Sequence, residues 1–284
     1  SYAVESYQSL FLKAYYPLEY MVATINNFGG FYRVELYLHE AKMHGGVIHP
    51  PDINKSNYET RIEGKHIYLG FILLHAFETA NAKRIVLERS RNGNYTDLDD
   101  FIYRVPVSVE QIAILIKINA FKFTGRNKRE LLWEAYMKIN KINFEVQVAT
   151  LFNSEKVTYQ TPPLPSSRYE DAFDEMEYLG FPLCDPFELV TDHTGPSLMA
   201  KDLMHHIHKT VITYGYYVTV KNTSTHKGDR MYFGTFLDRN GDYLDTVHFP
   251  PVARKFPFRG RGVYKLTGKV MEEFDSISNE ISSM

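Results

Sequence analysis

The sequence has one cysteine, Cys184, in 284 residues. A lone thiol excludes an internal disulfide and a zinc site of several thiolates, and it fits a reducing, cytoplasmic compartment. No apolar run approaches the ~20 residues that span a bilayer, so no membrane partner is expected. No secretory signal precedes the body, and the opening residues SYAVESYQSLF read as the interior of a longer chain. Basic charge is not in excess: 32 Lys and Arg face 34 Asp and Glu, a net charge of −2. Any nucleic-acid contact must therefore come from local patches. A phosphate loop of the G-x-x-x-x-G-K-S/T type, a G-x-S-x-G elbow and a long-period repeat are all missing, which argues against a P-loop nucleotidase, an α/β-hydrolase and a solenoid.

What is present is an ordinary globular composition, 44% hydrophobic and 23% charged, enriched in aromatics at 14%. Such aromatic content suits packed β structure or surfaces on which bases stack. Tyr7, Leu10, Phe11, Ala14 and Tyr15 recur at helical spacing and form one stripe; Tyr20, Met21 and Ile25 continue an apolar face beyond Pro17. Residues 31–44 read as a helix ended by Gly45-Gly46, and "HPPDIN" reads as a turn. Two short strands, 58–62 and 65–71, flank Gly64, and short helices follow over 78–88, from Thr96, from Ser108 and over 126–138. In the last of these Leu131, Leu132, Ala135 and Tyr136 face inward. From Lys209 the period becomes that of strands: Ile212, Tyr214, Tyr216, Val218 and Val220 alternate, then Met231, Phe233 and Leu237, then Tyr243, Val247 and Phe249, then Tyr264, Leu266, Gly268 and Val270. Asn240-Gly241 between two of these runs marks a hairpin.

Several clusters invite a chemical reading. "TDLDDF" (96–101) has the carboxylates of a two-metal site, but also those of a helix start capped by Thr96. "MHHIH" (204–208) offers imidazoles without an acidic or thiol partner nearby. Asp229, Asp238 and Asp242 fall at strand ends, where turn chemistry explains them and no bound metal is expected. "KFTGRNKRE" places Lys122, Arg126, Lys128 and Arg129 in a turn opening a helix, a phosphate-binding geometry or a solvated helix start. "PPVARKFPFRGRGVYK" (250–265) interleaves Arg254, Lys255, Arg259, Arg261 and Lys265 with Phe256, Phe258 and Tyr264 and contains no acid, which suits a nucleic-acid strand as well as it suits a basic loop on an aromatic core. "QVATLF" (147–152) stands before a proline-rich linker, where an apolar-aromatic pair can enter a partner's pocket.

In order along the chain these pieces resemble the C-terminal part of the bacterial C-family DNA polymerase III α subunits, including their specialised or error-prone paralogues. "SYQSLFLKAYYPLEYMVATINNFGGFY" is similar to the end of the family's fingers, "LGFILLHAFETANAKRIVLERSRNGNYTDLDDFIYRV" and "INAFKFTGRNKRELLWEAY" to its helix-hairpin-helix segment, and "KGDRMYFGTFLDRNGDYLDTVHFP" to its OB domain. The resemblance implies an α+β multidomain chain: the end of the fingers over 1–56, a degenerate helix-hairpin-helix domain over 57–140, and a linker with a clamp-binding peptide over 141–167. A short helical connector over 168–208, an OB-type barrel over 209–275 and a tail over 276–284 complete it.

By the same resemblance the chain holds no catalytic residue, no metal ligand and no cofactor: the aspartates that bind Mg²⁺ belong to the upstream palm, whose P-D-x-D-x-D-F pattern is absent here. No polymerase activity is then expected of the chain alone. DNA contact falls to Lys122, Arg126, Lys128, Arg129, Arg254, Lys255, Phe256, Arg259, Arg261 and Lys265. Clamp docking falls to Leu151 and Phe152 with Gln147, which stands one residue too far for the family's Q-x-x-L/M-F motif. The implied partners are DNA, a sliding clamp and other replisome or repair-polymerase subunits. The family's hairpin resembles K-G-x-G, whose glycine amides approach a phosphate. Here His75, Ala76, Phe77 and Glu78 stand instead, so both glycines are gone and a carboxylate is added. The competing class is an assembly scaffold whose barrel binds protein. The fifth strand of that barrel is poorly signalled by "DSISNEISSM", which suggests an incomplete barrel or one closed by another segment.

Overall fold

Helical spacing and its punctuation shape the first of two units, Ser1–Leu183; the second is Cys184–Met284. The computed structural model describes residues 2–30, 32–144, 167, 169–191, 197–226, 228–273 and 276–284. The first unit opens with α1 (Tyr2–Tyr15), α2 (Pro17–Asn26) and α3 (Val34–Met43). Pro17 takes the first turn of α2, where a missing N–H costs nothing. The α1 stripe read from the sequence exists, but none of its residues is buried. After α3 come β1 (Val47–His49), β2 (Arg61–Glu63) and β3 (His66–Tyr68), in the order β1-β3-β2, with β1 parallel and β2 antiparallel to β3. The first of these strands lies partly in the stretch read as a turn.

Next follow α4 (Thr79–Asn92), α5 (Leu98–Arg104), α6 (Val109–Lys117), α7 (Lys128–Phe144) and α8 (Glu170–Tyr178). Their shared core centres on Phe101, whose ring meets Tyr95 and Phe121 edge-on, each at 5.1 Å between centroids. Leu131 and Ala135 of α7 point into this core as read, whereas Tyr136, one position round the helix, is exposed. Ser108 caps α6 by accepting from the Gln111 amide. The reciprocal half of that capping box is not formed, because the Gln111 side chain is used elsewhere. At α5 the cap is Asp97, which accepts from the Asp100 amide at 2.8 Å, and not Thr96. A carboxylate at that position satisfies an orphan amide and meets the positive end of the helix.

The second unit is a closed barrel of β4 (Thr210–Ser224), β5 (Arg230–Leu237), β6 (Tyr243–His248), β7 (Val263–Glu273) and β8 (Ser276–Ser283), with α9 (Pro250–Lys255) between the third and fourth strands. Around the ring the order is β4-β5-β6-β8-β7, and β6 and β8 pair in parallel. This is the OB-type arrangement the fold class anticipates. The stretch read as a tail, 276–284, is corrected: it forms β8, paired with β7 along its length, and the barrel is complete. Asn279 explains the weak signal. It points inward between Ile277 and Ile281, fully buried, and interrupts the apolar alternation.

The interior of the barrel is small, and on three strands most of the inward positions lie outside the alternating apolar sets. The inward set is Val211, Thr213 and Gly215 on β4, Gly234 and Phe236 on β5, and Leu244, Thr246 and His248 on β6. A Cβ on Gly215 would lie 2.6 Å from the Phe236 Cβ, and one on Gly234 would lie 2.7 Å from Thr246 Oγ1. Space near the axis admits Phe236 only because its neighbours lack side chains. Of the alternating aromatics, Phe233 and Tyr243 stand on the outer wall, 44% and 46% exposed.

Candidate nucleic-acid interface

The hairpin between the turn Phe71–Leu73 and α4 contains no glycine. Ala76 takes the left-handed conformation at φ 59°, the geometry a glycine would adopt freely. Three of the hairpin's four amides, however, are engaged within the unit. His75 N donates to Tyr178 O at 2.8 Å, Phe77 N to Leu74 O at 3.4 Å, and Glu78 N to Gln111 Oε1 at 2.8 Å. Gln111 Nε2 in turn donates to Ala76 O at 2.8 Å. The buried carboxamide of α6 thus occupies the place of an external acceptor, and the exposed Glu78 carboxylate adds repulsion for a phosphate. Ala76→Gly relieves the left-handed strain at some entropic cost, so it raises stability by about 0.5–1 kcal/mol. Urea unfolding of the two chains checks this; an unchanged or lower midpoint contradicts it.

Of the first basic cluster, three side chains are turned to carboxylates of the same unit. Lys128, 11% exposed, lies 2.6 Å from Asp171 and 2.8 Å from Asp174. Arg129 meets Glu170 at 3.2 Å, and Arg126 pairs with Glu134. Lys128 and Arg129 therefore fasten α8 to α7. Burial raises the Asp171 carboxyl, but the Lys128 and Asn119 hydrogen bonds and the nearby lysine charges outweigh it and hold the group below its ordinary value. Lys122 is exposed and forms none of the ion pairs found among the described residues.

In the second cluster Arg254 meets Asp229 at 2.5 Å across the surface, and Lys255 lies over the Phe256 ring at 5.3 Å. Arg259, Arg261 and Lys265 are exposed. Phe258 and Tyr264 are not part of this surface. They pack with Tyr217 and Phe236 into the barrel core. A feature missed in the sequence stands on the outer wall of the same barrel: Phe233 is flanked in register by Lys221 of β4 and Val247 of β6. Its signal was present in the aromatic alternation, which does not by itself say which set faces outward.

The acidic and histidine clusters have structural employment. Asp100 pairs with Arg104 at 3.0 Å and Asp99 with Lys138. His206 Nδ1 lies 3.1 Å from Asp202 O. Among the described residues no group of three His, Cys, Asp or Glu could hold a metal ion, and no helix is long and apolar enough to cross a membrane. Gln147, Leu151 and Phe152 lie outside the described residues.

A family model described as a helix-hairpin-helix motif matches residues 45–131, the segment containing the closed hairpin and Lys122. Over 270 residues, 90% of this chain, the sequence is 30% identical to the DNA polymerase III subunit alpha of Staphylococcus epidermidis. Over most of its length the chain is similar to DNA polymerase III α subunits. It spans about a quarter of that relative, 24%. The polymerase III α subunit of Thermus aquaticus is 30% identical over 135 residues, 46% of this chain and 11% of its own. An error-prone DNA polymerase of Bdellovibrio bacteriovorus is 32% identical over 138 residues, 47% of this chain and 13% of its own. The helical segment and the barrel thus follow one another within a stretch that is continuous in a polymerase III α relative.

Proposed function

We propose that this chain is a non-catalytic, C-terminal part of a DNA-directed DNA polymerase that docks on a sliding clamp and handles the template strand. The observation that supports the reading most is the complete OB-type barrel with Phe233 exposed on its second strand, part of the face that binds oligonucleotides in this architecture, and Lys221 beside it on the first. Phe233 is a flat surface for a base, and Arg259, Arg261 and Lys265 lie exposed on the same barrel to follow phosphates. In the first unit the closed hairpin leaves Lys122 as the favoured phosphate contact, while Arg126, Lys128 and Arg129 have a structural role. Leu151 and Phe152, with Gln147, would tether the chain to the clamp and raise the local concentration of the enzyme at the primer end.

The engaged hairpin amides favour one second reading, a scaffold whose barrel binds protein. Two measurements on the full chain separate them. Capture by a purified sliding clamp is expected to be lost in the Leu151→Ala, Phe152→Ala variant. Anisotropy of a labelled single-stranded oligonucleotide at low salt is expected to show binding that Phe233→Ala weakens about ten-fold, within the range for one stacked base. Undetectable oligonucleotide binding sinks DNA handling and leaves the scaffold; clamp capture that survives the double variant removes the docking assignment.

A further inference from the structure

His49 on β1 and His66 on β3 lie side by side, His49 Nε2 2.9 Å from His66 Nδ1. Their rings stack at 5.1 Å between centroids, and Tyr68, the register partner of His49, stacks on it at 4.7 Å. His66 and Tyr68 are two apart on one strand and so share a face. Over the Tyr68 ring lie Lys55 Nζ at 5.5 Å and the Arg61 guanidinium at 5.6 Å. Ile53 N donates to Ala120 O at 3.2 Å, which holds the turn Lys122–Thr124 near the 52–55 loop, and Lys122 is the weakest of the charges that act on His49.

The charges that face this pair are unequal. Burial first, then His66, Lys55 and Lys122, hold the His49 imidazole below its ordinary pKa, and only Asp52 opposes them. Asp52 Oδ1 already accepts from the amides of Asn54 and Lys55, at 2.7 and 3.1 Å. Glu63, beside His66 on β2, pairs with Arg61 at 2.6 Å. Two adjacent imidazoles could suggest a metal. A dication, however, would be repelled by Lys55 and Lys122, and the described residues supply no third ligand. An anion meets the opposite field.

We propose that this face of the β1-β3-β2 sheet is a phosphodiester contact, in which His49, His66, Lys55 and Lys122 hold the backbone of a nucleic-acid strand. The identity of the strand rests on the function proposed above; the binding of an anion does not. With both rings neutral, one N–H is shared between the two facing nitrogens. A phosphate beside them favours uptake of a proton by the pair, so affinity rises as pH falls. A phosphodiester keeps its single negative charge across the range, and the pH dependence therefore belongs to the protein.

The test uses the full chain and two probes. Oligonucleotide affinity is expected to rise about ten-fold from pH 8 to pH 6 at constant ionic strength, and to lose that rise in the His49→Gln, His66→Gln variant. Lys55→Gln with Lys122→Gln should reduce the slope of log affinity against log salt by about 1. A pH dependence that persists in the histidine variant, or a salt slope unchanged in the lysine variant, overturns the proposal. His66→Gln alone, at an exposed position, provides a second variant if the double one misfolds, with more than half of the rise expected to disappear. If no oligonucleotide binds even the parent chain, the functional reading fails separately, and sulfate decides the site. Sulfate is then expected to shift the imidazole NMR resonances of His49 and His66 in the parent chain and to leave them unmoved in the lysine variant. Unmoved resonances in the parent chain overturn it.

Discussion

Replacing Asp238 with alanine lowers the stability of the barrel unit by about 2–4 kcal/mol. The carboxylate sits at the end of β5, only 2% of its residue surface exposed. Oδ1 accepts from the amides of Asn240 and Asp242, at 2.8 and 2.9 Å, and Oδ2 accepts from Ala200 N at 2.8 Å. One side chain thus shapes the β5–β6 turn and ties down the 3-10 helix Ala200–His206. Alanine leaves three donors without it. Asparagine can keep the oxygen toward the turn but presents an NH₂ to the Ala200 amide, so Asp238→Asn should cost about half as much. Hydrogen exchange of peptides from 210–284, read as opening free energies, checks the ranking. Equal protection in all three proteins would show that the turn forms without the carboxylate.

Acid weakens the same unit through His248. The ring is fully buried, and burial pushes its pKa down from 6.5 to about 4. Its surroundings explain why a proton is unwelcome. Thr246 Oγ1 donates to Gly234 O at 3.0 Å, so its oxygen accepts from His248 Nε2–H at 2.9 Å. Nδ1 is left as a bare lone pair, without a partner among the described residues, beside the Phe258 ring. Charging the ring would add a buried N–H with no acceptor. Since the folded pKa lies below the unfolded one, the contribution is fully present above pH 6.5 and is lost as pH falls toward 4. The full loss is about 3 kcal/mol, from 1.36 kcal/mol per unit over the interval. Exchange of the barrel peptides at pH 6.5, 5.5 and 4.5 should show most of it. His248→Gln should flatten the part of the slope that belongs to this ring. Parallel slopes in parent and variant would assign the loss to other groups. Fluorescence of Trp133 does not serve here, because that residue belongs to the first unit.

The sequence announced the elements whose signals are local. Asn240-Gly241 marked the hairpin, and Gly93 and Ser108 marked helix ends that the structure retains. What escaped depends on residues distant in the chain. The carboxylates that engage Lys128 and Arg129 lie 41–46 residues downstream, so the cations looked free. The His49–His66 pair is made by two three-residue strands in parallel, too short for a period to show. In β4, β5 and β6 the alternation marked the strands but did not say which set of residues faces the axis. Burial usually selects the large apolar set, but near the axis of a narrow barrel the small and polar residues are the ones that fit. The helix-hairpin-helix resemblance was carried by flanking residues, while the hairpin's own departures appear only when Gln111, 33 residues beyond Glu78, is seen to take its amide.

The glycines at 215 and 234, with Phe236 and Thr246 in the space they leave, make the barrel a solid body and not a container. A guest molecule has no lumen to enter, so anything the unit recognises must be read by its skin. Interior substitutions should therefore move the melting temperature and leave affinity alone, whereas changes at Phe233, Lys221 or the basic segment beyond Phe249 should do the reverse. The two classes of variant can be sorted by that criterion before any ligand is identified.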